Sequence, residues 1–380
     1  MFWVRNSGAE PFSTEPVRPL HPAITTMVVG ADGKPLTRVV TSRALMVDPS
    51  RLPIWALREL HRRYPGAMAS KSQILWNGHS PFYQQALHWN ISGLYPVHTR
   101  VVVPIKGVST EWITVIARQH GAWARHAWVW NQHGAFEPSL QTVHVTLSAS
   151  LMKTLSPWLP QGSSAIVING RGQILAQLAN PGDRRLSWQP HPVGEILTPV
   201  LLATAIQHPQ LFAKLSPTQP NLLSVISARW GQSSIRRTLR TLGFGKGTAI
   251  SGQPFPDPPL SEGNVKVFTQ GTNLWATLDQ VARGYLVLAD RGHEPYLSLN
   301  PRVSNKASKP LTTRGAVSEV EKVLPQELVN NIRFSVWRPG NHLAVAYTQA
   351  NGGIVTVIQG PATAHTLSIV QQVALWAHNK

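Results

Sequence analysis

The chain has 380 residues, more than one ordinary core organises, so two domains are expected. Hydrophobic residues make up 42% and charged residues only 14%, which excludes disorder for its bulk, and zero cysteine excludes thiol catalysis, disulfides and thiolate-bound metal. The 35 Lys and Arg against 17 Asp and Glu give a formal charge of +18, which favours anionic partners; the scarcity of carboxylates also fits an acidic working environment, where protonation dissolves salt bridges.

Residues 1–20, rich in Pro, Ser and charge, read as a loose lead-in. "MFWVRNSGAE" has no apolar h-region, and no run of about 18 apolar residues occurs, so neither signal peptide nor membrane span is expected within the chain. "TTMVVGADGKPLTRVV" predicts a hairpin turning at Asp32–Gly33. "RALMVDPSRLPIWALRELHRRY" predicts a strand ending at Asp48–Pro49 and a helix from near Leu52. Trp55, Leu57 and Leu60 form its inner face, with Arg58, His61, Arg62 and Arg63 outside. "TRVVVPI" is a further strand. In "QHGAWARHAWVWNQHGAF", His120, His126 and His133 lack metal-site spacing. Trp123, Trp128 and Trp130 have faces for sugar rings, though strand aromatics more often fill a core. No metal or cofactor is expected.

The texture changes from residue 142. "TVHVTLSASLMKTLSPWL" reads as a strand and a short helix, and "SSAIVINGRGQILAQLA" as a hairpin through Asn169–Gly170. "HPVGEILTPV" opens a helix from Glu195 to Gln207, followed by helices over 221–242 and 273–290. "HLAVAYT" and "GIVTVIQG" form a strand pair through Asn351–Gly352, and a helix over 362–378 closes the chain. Strand pairs at both ends of a helical region predict an α+β fold, a mixed or antiparallel sheet with helices packed on it. Around 229–242, Arg229, Arg236, Arg237 and Arg240 lie opposite Ile235, Leu239 and Leu242. That cationic face is either a solvated surface or a dock for an anionic polymer or membrane.

The order of these segments resembles a class B penicillin-binding protein. "VVGADGKPLTRVVTSRALMVDP" resembles the opening of that family's non-catalytic pedestal, with Thr25–Thr26 replacing an Arg–Gly pair. "VHVTLSASLMKTL" is similar to the strand and helix that open its transpeptidase domain, and "AIVINGRGQILAQLANPGD" to its first core hairpin. "WGQSSIRRTLRTLGFGKGTAI" resembles its helix and Gly–Phe–Gly corner, and "TQGTNLWATLDQVARGYLVLADRG" its Gly–Gln–Gly segment and long helix. The resemblance implies a pedestal over 21–140 and a transpeptidase-like domain, of the serine β-lactamase type, over 141–380.

The family's chemistry needs a Ser to attack a carbonyl and a Lys one helical turn later to take its proton. Its frame, Pro–x–Gly–Ser–x–x–Lys–Pro, survives here as Val193–Gly194 and Pro199, but Glu195 and Thr198 occupy the Ser and Lys positions. Glu has no hydroxyl to acylate, and Thr is no base near neutral pH. A Ser–x–Asn loop is absent where expected, at Thr218–Gln219–Pro220. The carboxylate-binding Lys–Thr–Gly is absent too; Arg338, Pro339 and Gly340 are its distant echo. Ser150–Leu151–Met152–Lys153 and Ser298–Leu299–Asn300 fit two motifs by spacing but fall elsewhere in the family order.

The resemblance therefore implies a pseudoenzyme: a scaffold or binding protein of wall synthesis, outside the cytoplasm, with wall-synthesis proteins or peptidoglycan and other anionic wall polymers as partners. A membrane-proximal site follows from the family's N-terminal anchor, which this chain either lost or lacks by truncation. Relocated chemistry, by Glu195 as general acid or base or by an acylating Ser150, is the alternative. Nucleic acid as a partner rests on charge alone, without an accompanying motif, and is not expected.

Overall fold

A computed structural model describes residues 18–19, 26–63, 73–76, 81–105, 108, 113, 116, 128–130, 135–138, 141–179, 190–206, 222–245, 248–250, 253–255, 274–292, 297–301, 310–340 and 342–378. The fold is α+β, and contacts divide the chain into two compact units. One comprises Met1–Val28, Leu36–Ile105 and Trp112–Val143; the other comprises Val29–Pro35, Lys106–Glu111 and His144–Lys380.

The first unit is built on two long strands, β3 (Thr37–Val47) and β5 (Leu94–Pro104), paired antiparallel from Thr37↔Pro104 to Val47↔Leu94. With β1 (Arg18–Pro19), β4 (Gln73–Trp76), β6 (Trp128–Trp130) and β7 (Ala135–Pro138) they make a sheet of order β1-β4-β3-β5-β7-β6. The predicted helix is α1 (Ile54–Arg63); a further one, α2, spans Pro81–His88. Ala56 and Leu60 of α1 and Tyr83 of α2 meet Leu45 and Val47 in the core. Trp55 does not point inward as expected: it is 53% exposed and meets Trp89 edge-on, ring centroids 5.1 Å apart. The helix begins two residues later than the expected Leu52; Ala56, four residues before Leu60, shares its face, and Trp55, five before, does not.

The expected hairpin at Asp32–Gly33 is also only partly a hairpin. The turn forms, but β2 (Thr26–Val29) takes β8 (Gln141–His144) as its ladder partner, and a lone Val29↔Pro35 bridge joins the two arms.

The second unit holds an antiparallel sheet of order β10-β9-β18-β17-β16-β15. β9 (Ser164–Asn169) and β10 (Ile174–Ala179) are the predicted hairpin, and β17 (Leu343–Thr348) and β18 (Ile354–Gln359) the second. β15 (Gln326–Val329) and β16 (Ile332–Trp337) extend the sheet through a turn at Asn330 and Asn331. Both have positive φ, 50° and 62°, as a primed two-residue hairpin turn demands.

Helices cover both faces. On one lie α3 (Ala149–Leu155) and α9 (Thr366–His378), where Val370 and Ala374 pack on Phe334 and Ala346. On the other lies α7 (Leu278–Ala289), started by a capping box of Thr277 and Gln280. Its Tyr285 ring stands 5.8 Å from that of Tyr347 on β17. Helix α4 (Thr198–Ala205) packs on α7 and on α8 (Arg314–Glu321), and every residue of α4 is buried.

The single helix expected over 221–242 is two, α5 (Leu222–Trp230) and α6 (Gln232–Thr241). Gly231 separates them at φ +80°, a conformation that side-chain-bearing residues rarely adopt. Past α6, Gly243 at φ +97° closes the helix, with the Phe244 N–H donating to Leu239 O. Phe244 itself is buried.

Candidate functional site

The "HPVGEILTPV" stretch is held from several elements. Strand β11 (His191–Pro192) pairs with β14 (Trp275–Ala276), and Val193 N–H donates to Leu274 O at 2.8 Å. A 3-10 turn over Gly194–Leu197 then feeds α4. Side chains from other elements bond to carbonyls along this segment. Trp337 Nε1–H, at the end of β16, donates to Glu195 O at 3.0 Å. The Tyr285 hydroxyl of α7 donates to Ile196 O, and the Thr312 hydroxyl to Ala203 O.

The two positions in question face opposite media. Glu195 is exposed, whereas Thr198 is 3% exposed and its Oγ1 has no hydrogen-bond partner among the described residues. A carboxylate in solvent and a hydroxyl in the core cannot pass a proton between them. Arg338, Pro339 and Gly340, directly after Trp337, are exposed. The region around Thr218–Gln219–Pro220 lies outside the described residues.

Ser150 is engaged in capping. Asp32 Oδ2 accepts from Ser150 Oγ–H at 2.6 Å, Ser150 N–H at 2.7 Å and Ser148 Oγ–H at 3.1 Å. Ser148 Oγ in turn accepts from Leu151 N–H, as the N-cap of α3. Partial burial alone would raise the Asp32 pKa, but the hydrogen bonds from Ser150, Lys34 and Ser148 outweigh it and hold the carboxyl at about 2. Lys153, the would-be base, is exposed. Ser298 is buried: its Oγ accepts from Asn300 N–H at 2.9 Å, and its backbone bonds to Gly172 and Ile174.

The expected cationic face divides. Arg229 sits on α5, while Arg236, Arg237 and Arg240 sit on α6, beyond the Gly231 break. Arg229, Arg237 and Arg240 are exposed, but Arg236 is half-buried with a solvent-shielded Nε. A face of four arginines on one helix is therefore not formed. The helical pattern carried across Gly231 produced that expectation.

His120, His126, His133 and Trp123 lie outside the described residues, and the side chains of Trp128 and Trp130 are likewise not described. Among the described residues no cluster of His, Asp and Glu is arranged to hold a metal, and no helix is long and apolar enough to cross a membrane.

Sequence reasoning missed Trp337, Tyr285 and Asp32. Trp337 had a local signal, its place directly before Arg338. Tyr285 and Asp32 reach their partners over 89 and 118 residues of sequence, and nothing local announces such contacts. No protein-family model matches the chain, and no curated protein matches it.

Proposed function

We propose that this chain is a catalytically silent relative of the class B penicillin-binding proteins, working as a scaffold or binding protein in wall assembly outside the cytoplasm. One juxtaposition carries the reading. The turn bearing Glu195, where the family has its nucleophile, is hydrogen-bonded by Trp337 at the end of β16, next to the distant echo of the family's substrate-binding motif. That contact between two segments far apart in sequence supports the reading, with Glu195 and Thr198 in place of Ser and Lys. The second unit's antiparallel sheet, with α3 and α9 on one face and α7 and α4 on the other, supports the same reading. Peptidoglycan strands, other anionic wall polymers and wall-synthesis proteins are the partners, suited to a chain of formal charge +18.

Exposure of the full chain to a fluorescent penicillin, followed by a denaturing gel, is expected to show no labelled band. The Ser150→Ala variant separates the alternatives. A band lost in that variant assigns acylation to Ser150, and a band that survives it assigns acylation to another residue; either overturns the silent reading. Co-sedimentation with purified peptidoglycan is expected to retain the protein, and release by moderate salt would mark the contact as electrostatic.

A further inference from the structure

A cavity of about 440 Å³ opens in the second unit between the C-terminal end of α8, the β15–β16 hairpin and the residues following β17. Its lining includes Glu321, Lys322, Arg333, Ser335, Gln349 and Gln326, with no large apolar side chain. Glu321 is half-buried, hydrogen-bonded by the Gln349 side chain and felt electrostatically by Tyr347. Tyr347 is wholly buried and is the cross-strand partner of Ser335. The Ser335 hydroxyl accepts from Gln326 Nε2 at 2.8 Å, and the same amide nitrogen reaches Glu321 O at 2.8 Å. The wall is thus fixed by hydrogen bonds before anything enters.

Glu321 and Arg333 bring opposite charges to this cavity. Burial pushes the Glu321 carboxyl above its usual range, against the smaller opposing effects of Gln349 and Arg291. No cation among the described residues forms an ion pair with it. Lys322 is committed to Glu319 at 2.6 Å, whereas exposed Arg333 has no paired carboxylate among the described residues. Arg333 and Ser335 are two residues apart on β16, about 7 Å along the strand.

We infer that this cavity binds a small zwitterion, with its ammonium group on Glu321 and its carboxylate on Arg333. An ammonium adds an ion pair to Glu321, and Arg333 offers a planar fork to a carboxylate. The site is independent of the Glu195 turn and of any wall-related role.

The test is calorimetric titration of the full chain with 6-aminohexanoate, and with hexylamine and hexanoate as single-charge probes. Saturable binding of 6-aminohexanoate is expected, weakened at least tenfold by Glu321→Gln and by Arg333→Ala. Hexylamine binding is expected to respond only to the first substitution and hexanoate binding only to the second. Glu321→Gln keeps the side-chain shape and Arg333 is exposed, so unchanged circular dichroism is expected for both variants. No saturable binding up to about 10 mM, a free energy of only about 3 kcal/mol, overturns the inference, as does binding indifferent to both substitutions.

Discussion

Helices α3 and α4 both begin with a residue that invites a catalytic reading, and their surroundings treat it in opposite ways. At α3, Ser150 has a carboxylate 2.6 Å away and a Lys one turn along, yet Asp32 also takes the backbone N–H of Ser150 and the hydroxyl of Ser148. The carboxylate is saturated with donors and its pKa is low, so it closes a helix end and is a poor proton acceptor. At α4, where the resemblance expects the nucleophile and its base, a turn held by Trp337 and Tyr285 carries Glu195 and Thr198 instead. The Ser and Lys that fit the motif by spacing thus lie on another helix of the same unit. Spacing alone cannot distinguish them, because capping and nucleophilic attack draw on the same Ser and Asp side chains.

The sharpest way to break the contrast is to put a Lys at position 198. Thr198→Lys places an ammonium where the side chain is 3% exposed in a helix with every residue buried. The loss of stability is expected to be about 3–5 kcal/mol, read by urea denaturation. A loss under about 1 kcal/mol would mean that the Lys finds a solvated exit, and that α4 opens onto a cleft rather than a core.

Next in size is Asp32→Ala, which strips three donors of their shared acceptor and is expected to cost about 1–2 kcal/mol. The pH dependence has a definite sign. The folded carboxyl titrates near 2, below the unfolded value of about 3.9, so its contribution is complete above about pH 4. It fades as pH falls toward 2, where native and variant stabilities are expected to converge. A constant gap between them from pH 7 to pH 2 would show that the loss is one of packing. A bond of this kind persists through moderate acid, which accords with the carboxylate-poor composition.

The same contrast explains what was legible in the sequence. The β9–β10 and β17–β18 hairpins stood out because apolar runs on both sides of Asn–Gly pairs need no distant information. The burial of Leu60 and the exposure of Arg62 followed from helical period, but Trp55, five residues before Leu60, was placed on a face that belongs to Ala56, four before it. The arginine face failed because Gly231, at φ +80°, breaks the helix inside an unbroken apolar rhythm. At the candidate site, Glu195 and Thr198 were identifiable by frame, whereas their opposite exposures were not. Those depend on α7, α8 and β16, whose arrival is a tertiary fact.

The smallest effect isolates Thr198 from any catalytic question. Its Oγ1 is buried without a partner among the described residues, whereas Thr204, further along α4, donates its hydroxyl to Leu201 O at 2.8 Å. Two threonines of one buried helix therefore differ in the fate of the hydroxyl. Thr198→Val exchanges an unsatisfied hydroxyl for a methyl of similar size and is expected to stabilise the fold by about 1 kcal/mol. Thr204→Val removes a hydrogen bond whose acceptor keeps its helical partner, so its effect is expected to lie within about 0.5 kcal/mol of zero. Thermal unfolding of the two variants side by side reads the difference. If Thr198→Val destabilises instead, its hydroxyl has a use in the folded protein, and the α4 start regains its claim to a chemical role.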